Sequence, residues 1–563
     1  MRNYELLAKL GGYQNKIDNA IEELQAERVI PRIWNHHYTV WNADPAEISN
    51  RLGWLHIAEV MKDNACYLKA TTESIQVDGY TNILLLGMGG SSLAPEVFSK
   101  TFVRNEEYPE LEILDSTDPG SILSYSDKLD LERTLFIVST KSGGTVETLS
   151  FFKYFYNKVA DKLGAKNAGE HFIAITDPGS HLVDIAKKYN FRETFLNDST
   201  IGGRFSALSY FGLLPAALMG VNVPLLLDRA GNMMLACHDG YIGAQLGAIM
   251  GKLALAGRDK LTLVTSPALK AFGAWVEQLI AESTGKNGMG ILPVDGESLY
   301  EPDVYGNDRL FIYMKIKGND SLDEDIKKLH SFGHPVVWIE LEDEYDLGGE
   351  FFRWEMATAV ACYCLGINPF DQPNVESAKK LAREMVSEYH KTGELPVMIP
   401  KAEDSEIKIY SYVNGKTPEE VFKTFINQRG DNDYIAIQAY IQPTEEADKA
   451  LQKFRHKLGK ETGLATTLGY GPRFLHSTGQ LHKGDSGNGI FIQITSDNIL
   501  DVDIPDEAGM EKSTMTFGVL KESQVLGDLR AMMFAWRRVI RLHIGTDIVS
   551  GIKALMNMFS DLS

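Results

Sequence analysis

Two short segments gather the residue types that hold a phosphate. Gly87-Met-Gly-Gly-Ser-Ser92 follows the apolar run TNILLLG and precedes a helical pattern that begins near Pro95. Glycines such as Gly89 and Gly90 let backbone approach a ligand, and the free N–H groups of a helix start favour an anion. The segment lacks the spacing of a dinucleotide fingerprint and has no Gly-Lys-Ser/Thr ending. Alone, it reads equally well as a tight turn from strand to helix. Ser139-Thr-Lys-Ser-Gly-Gly-Thr-Val-Glu-Thr148 repeats the setting after the run TLFIVS. The hydroxyls of Thr140, Ser142 and Thr145, the ammonium of Lys141 and a helix start would together hold a phosphate monoester. Ser and Thr there are also ordinary N-caps. Two such loops at neighbouring strand ends favour the phosphate.

The elements that must position these loops alternate. Residues 81–87, 111–114, 134–139 and 171–176 are short continuous apolar runs, each followed by small polar residues and then a helical pattern. Such strands, apolar on both faces, form a parallel sheet covered by helices, and ligands bind where its strands end. The rhythm restarts after Asn222 with the runs LTLVT, LFIYMKI and PVVWIEL and a helix over 271–281. A helix over 375–389 closes this second unit, and the polar stretch 391–405 marks a boundary. From about Glu406 strands predominate (IKIYSYV, DYIAIQAYI, GIFIQIT, VIRLHIG), with one helix over 519–535. The expected divisions are an N-terminal helical segment (1–50), two α/β units (51–225 and 226–400) and a C-terminal α/β region (401–563) that could complete the second sheet.

Composition bounds the partners. The chain has 563 residues, room for three to four domains of roughly 150 residues, and 44% of them are hydrophobic, which fits a folded globular protein. Its 56 Lys and Arg stand against 76 Asp and Glu, a net charge of −20 that disfavours nucleic acid. A focused cleft can still take a small anion. Four cysteines, without a metal-ligand or disulfide pattern, suit a reducing cytoplasm. The N-terminus carries acidic residues and no signal-type apolar core. Residues 208–227 carry no charge over nearly the length of a membrane span, but Pro215, Asn222 and Pro224 interrupt them, so a buried helix with its exit turn is expected rather than a membrane partner.

The segments LLLGMGGSSLAP, VSTKSGGTVET, GGRFSALSYFGLLP, QLIAESTGKNG and NPFDQPNVESAK resemble, in order and wording, those of the phosphoglucose isomerase family, whose members contain two sugar-isomerase (SIS) units. The similarity is greatest to the isomerase half of bifunctional transaldolase/phosphoglucose isomerase proteins. It takes in RIWNHHYTVWNADPAEISNRLGWL near the start and TGLATTLGYGPRFLHSTGQLHKG late in the chain. A chain of this length has no room for a transaldolase barrel ahead of these segments, so that activity is not carried over.

The resemblance implies two flavodoxin-like parallel-sheet units, glucose-6-phosphate isomerase activity without metal or organic cofactor, and a possible homodimer. It places Ser91, Thr140, Lys141, Ser142, Thr145 and Gln372 around the substrate phosphate. Glu282, at the end of a helix whose apolar face carries Phe272, Trp275 and Leu279, becomes the base that moves a proton between C2 and C1 through a cis-enediol. Without the family it would read as a solvated helix-end glutamate paired with Lys286. Arg204, preceded by Gly202 and Gly203, becomes the cation beside the enediolate. Lys379, seven residues after Gln372 and so two helical turns along, opens the sugar ring with His476. Asp371 and Pro373 would then be the cap and first-turn residues of that helix. His482 follows His476 by six residues. The family histidine normally precedes the Gln/Lys helix, whereas here the order is Glu282, Lys379, His476, which implies a rearranged second half. Alternatives in the same fold are a dual phosphoglucose/phosphomannose isomerase, and a sugar-phosphate sensor that would need none of Glu282, Arg204 and Lys379.

Overall fold

The computed structural model describes residue 4 and residues 6–558. The ends of the expected 1–50 and 401–563 divisions, residues 1–3, 5 and 559–563, lie outside the described residues.

The apolar runs become three separate sheets. In the first, strands Asn82–Gly87, Glu110–Leu114, Thr134–Ser139, Phe172–Thr176 and Glu193–Leu196 are all parallel. The chain leaves Asn82–Gly87 to one side for Glu110–Leu114 and returns on the other for Thr134–Ser139. That reversal opens a crevice beyond their carboxyl ends, where both phosphate-type loops begin. In the second sheet, Leu292–Asp295, Lys260–Thr265, Arg309–Ile316 and Val336–Leu341 are parallel, and Leu7–Lys9 pairs antiparallel on the edge. The segment expected to be helical carries an edge strand ahead of helices Gln14–Ala26 and Val29–Trp34.

The strands after residue 400 do not extend the second sheet. Ala465–Tyr470, Tyr434–Tyr440, Gly489–Thr495 and Arg538–His543 form a parallel sheet of their own, with Lys408–Tyr410 and Ala402–Glu403 added antiparallel. One face of it buries Ile435, Ile437, Ile490 and Ile492 under helices Pro418–Ile426, Glu445–Thr462 and Ile548–Met558.

One large core joins the first two units, with helix Leu347–Leu365 buried along nearly its whole length. Phe351 of that helix meets Phe98 of the first unit and Trp275 of the second edge-on. The uncharged stretch near residue 208 becomes helix Tyr210–Leu218, buried in this core, and helix Val223–Asp239. Among the described residues no helix is long and apolar enough to cross a membrane.

The C-terminal region reaches back to the first unit through helix Phe517–Phe534. Phe517 and Leu520 at its start belong to the first unit's core beside Phe151, whereas Leu529 and Met532 pack beneath the third sheet. Each such apolar burial contributes about 1.5–3 kcal/mol, so this helix couples the two regions firmly.

Candidate active site

A cleft of about 700 Å³ opens where the first sheet's strands end, walled by helices of all three regions. Its lining includes Gly89, Gly90, Ser91, Thr140, Lys141, Ser142, Thr145, Gly203, Arg204, Glu282, Gln372, Lys379 and His476. Residues scattered over almost 400 positions thus meet around one space.

The loop after Thr134–Ser139 ends in Thr145, which occupies the N-cap of helix Val146–Leu163 without capping it. The Thr145 and Thr140 hydroxyls lie 2.8 Å apart and bond to each other, and the helix start behind them keeps the field that favours an anion. Ser142 accepts from the Gly144 N–H. Lys141 is less available than its charge implies, because its ammonium is bonded to Asp177 and to the Ser199 carbonyl. Arg51, which acts electrostatically on the same Asp177, is a further cation lining the cleft.

The glycines of the first loop serve contact between protein segments. Gly89 has φ +57°, and a Cβ there would stand 2.9 Å from both the Gln278 amide nitrogen and the His476 carbonyl. A Cβ on Gly90 would lie 2.1 Å from the Gly203 carbonyl oxygen, whereas one on Gly203 would meet nothing within 4 Å. Gly89 and Gly90 therefore bring the first loop, the Arg204 turn and the histidine loop together.

Helix Phe272–Thr284 presents Glu282 in its last turn. Glu282 faces Arg204 at 3.4 Å and accepts from Gln278 at 3.2 Å. It does not pair with Lys286, which is buried and bonded to Asp371 and to the Asn368 carbonyl. Arg204 is itself buried, and its guanidinium donates to the Ser283 hydroxyl, the Gln372 side-chain oxygen and the carbonyls of Pro369 and Asp371. A guanidinium held by four neutral acceptors keeps its positive charge fixed at the cleft wall.

Gln372 and Lys379 share the cleft but not a helix. The helix runs Val375–Thr392 with Asn374 as N-cap, because Asp371 is drawn aside to Lys286 and Pro373 precedes the first turn. Lys379 lies 3.5 Å from Glu376.

His476 enters on a short turn, Arg473–His476, between the third sheet and helix Gly479–Gly484. Its Nε2 lies 2.9 Å from Oε1 of Glu147, in the first turn of helix Val146–Leu163. Burial presses the Glu147 carboxyl upward, but the charge and hydrogen bond of His476, joined by a backbone hydrogen bond and the charge of Lys379, together hold it below its ordinary range. Arg473 anchors the turn through ion pairs to Glu96 and Asp115 of the first unit. His482 does not line the cleft. It sits between Phe474 and Phe491, and burial pushes its pKa well down.

Glu147, Gln278, Gln524 and Arg51 line the cleft without having been singled out from sequence. Gln278 precedes Glu282 by four residues on one helix face, a readable signal. Glu147 lies inside the second loop's own segment. Gln524 bonds to Glu147 across 377 positions and has no local signature.

Two hydroxyl-rich loops, a carboxylate beside a fixed guanidinium and a histidine–carboxylate pair thus meet in one cleft of an α/β protein with tandem parallel sheets. A sequence model of phosphoglucose isomerase matches residues 58–288. A probable glucose-6-phosphate isomerase of Methanococcus maripaludis is 32% identical over 413 residues, covering 66% of this chain and 89% of the relative. The glucose-6-phosphate isomerase of Campylobacter jejuni is 27% identical over 60% of this chain and 93% of its own. The crystal structure of a glucose-6-phosphate isomerase from Chlamydia trachomatis superposes with a TM-score of 0.57 over 68% of this chain and 87% of that one, at 20% identity, a likeness of fold. The chain belongs to the phosphoglucose isomerase family.

Proposed function

We propose that the protein interconverts glucose 6-phosphate and fructose 6-phosphate. The observation that carries this reading is the placement of Glu282 and Arg204 3.4 Å apart on one wall of the cleft that also holds the two phosphate-type loops. In this reading Ser91, Thr140, Ser142, Thr145 and Gln372 hold the phosphate, with Lys141 as a partly neutralised cation behind them. His476 acts on the ring oxygen as acid and Lys379 assists the opening. Glu282 then takes the proton from C2 and returns it to C1. Negative charge that develops on the enediolate oxygens falls beside Arg204, which is already oriented and costs no reorganisation; one preorganised donor of this kind contributes about 3–4 kcal/mol. No step needs a metal or organic cofactor. The four cysteines are unpaired, which accords with a cytoplasmic protein.

A coupled assay of purified protein tests the reading. Formation of fructose 6-phosphate from glucose 6-phosphate is expected, and folded protein that forms none overturns it. Mannose 6-phosphate in a parallel assay tells a dual-specificity enzyme from a glucose-specific one.

A further inference from the structure

The C-terminal region touches the proposed acid/base pair at a second point besides the histidine turn. Gln524, on helix Phe517–Phe534, is buried, lines the cleft, and places its side-chain nitrogen 2.7 Å from Oε1 of Glu147. Its side-chain oxygen accepts from the Thr117 hydroxyl at 2.8 Å. A carboxylate can only accept, so the amide nitrogen must face Glu147. One turn earlier, Lys521 is bonded to Asp118, the residue after Thr117, at 2.8 Å. Phe517 and Leu520 seat the same stretch of helix in the first unit's core. The amide is therefore held from both sides, and the oxygen it meets is the one that faces His476.

We propose that Gln524 is a positioning residue for ring opening: its amide pins the Glu147 carboxylate in the orientation that serves His476, and so makes the C-terminal helix part of the acid/base machinery. Gln524 acts through Glu147 rather than on the sugar. A charge-assisted hydrogen bond in a buried site fixes both the direction and the charge of the carboxylate. Other charged and titratable groups face the pair from neighbouring elements. Lys379 acts on Glu147 from helix Val375–Thr392, Tyr440 faces Glu147 from the third sheet, and Asp115, after strand Glu110–Leu114, faces His476. None of these makes the short bond to Glu147 that Gln524 makes.

This inference rests on the isomerase reading and can fail separately from it. Wild-type protein that does not isomerise glucose 6-phosphate sinks the reading; active wild type with Gln524 variants that behave like it sinks only the inference. The experiment compares kcat, KM and the pH dependence of kcat/KM for wild type, Gln524→Leu and Gln524→Glu, with a thermal melt of each. Losing the donor, or setting a like charge beside Glu147, raises the proton affinity of that carboxylate in either case. The acidic limb of the profile, which reports the pair as a unit, is expected to move about one unit toward higher pH. In Gln524→Leu, kcat is expected to fall about tenfold, the size of one hydrogen bond to a charged group, with KM unchanged because the phosphate loops are intact. Wild-type kinetics, or a uniform loss at every pH with the limb unmoved, overturns the proposal. Should either variant melt early, Thr117→Val, which removes only the bond that orients the amide, is expected to shift the limb the same way by less; an unmoved limb there also overturns it.

Discussion

Glu282 owes its usefulness to what it does not touch. Had it paired with Lys286, which does not line the cleft, the carboxylate would have turned away from the cleft wall. Lys286 is instead buried against Asp371 and the Asn368 carbonyl, and Glu282 is left with an amide and a guanidinium at the cleft wall. Glu282→Gln keeps the hydrogen-bonding shape beside Gln278 and Arg204 and removes the base. It is expected to lower kcat by about 10²–10⁴-fold, the usual worth of a positioned general base, with KM for fructose 6-phosphate changed little. Exchange of the C2 hydrogen of glucose 6-phosphate with solvent checks this directly; exchange at the wild-type rate would assign the base elsewhere. Much of this site was legible residue by residue, since Thr140, Thr145, Arg204 and Glu282 sit in segments whose wording carries their chemistry. Lys141 also lines the cleft, but its spacing says nothing of Asp177, which folds in from the next strand's end and binds its ammonium.

At the scale of elements, the strand, loop and helix rhythm is readable because parallel strands must be apolar on both faces and must end in small polar residues. Where the rhythm breaks, local pattern is a poor guide. Gln372 and Lys379 are spaced as one helix face, yet Pro373 and the pull of Lys286 on Asp371 delay the helix to Val375. They face the cleft as a loop residue and a helix residue. The loop before helix Val146–Leu163 supports a prediction of its own. Thr145 leaves its hydroxyl to Thr140 instead of capping, so it can turn to a ligand without destabilising the helix. Thr145→Val is therefore expected to leave the melting temperature unchanged and to raise KM for glucose 6-phosphate about tenfold, one hydrogen bond to a charged oxygen. Weaker competitive inhibition by inorganic phosphate, in the same proportion, would trace the loss to phosphate binding.

The whole molecule shows what no local pattern could. Strand order and the existence of a third sheet are tertiary facts: Lys408–Tyr410 pairs with Arg538–His543, some 130 residues away, and nothing within either segment announces the other. The large core also carries a pH liability. Glu350 is buried in helix Leu347–Leu365; burial raises its carboxyl from 4.5 to about 7, with Arg353 opposing and Asp346 adding to the rise. A group whose folded value is raised holds its proton more tightly when folded, so stability is greatest below pH 4.5 for this group and is lost as pH climbs toward about 7. The loss is on the order of 3 kcal/mol at about 1.4 kcal/mol per unit. Urea midpoints of Glu350→Gln, compared with wild type at pH 5 and pH 8, are expected to show this component of the decline removed.

The C-terminal region's attachment bears on how many chains a site needs. His476 reaches Glu147 of its own chain at 2.9 Å, its turn is tied by Arg473 to Glu96 and Asp115, and helix Phe517–Phe534 is rooted in the first unit's core. A histidine held by that many bonds within one chain is expected to serve its own chain's cleft, whatever the oligomeric state. Mixing tests this. Glu282→Gln and His476→Ala are each expected to be inactive or nearly so, and unfolding and refolding them together should restore nothing, because every cleft would still lack one of the two groups. If histidines crossed between chains of a dimer, half the chains would pair as hybrids, each with one intact site, and about a quarter of wild-type activity would return. Recovery near that level would show that the histidine serves a neighbouring chain; its absence, with co-assembly verified, ties ring opening and proton transfer to a single polypeptide.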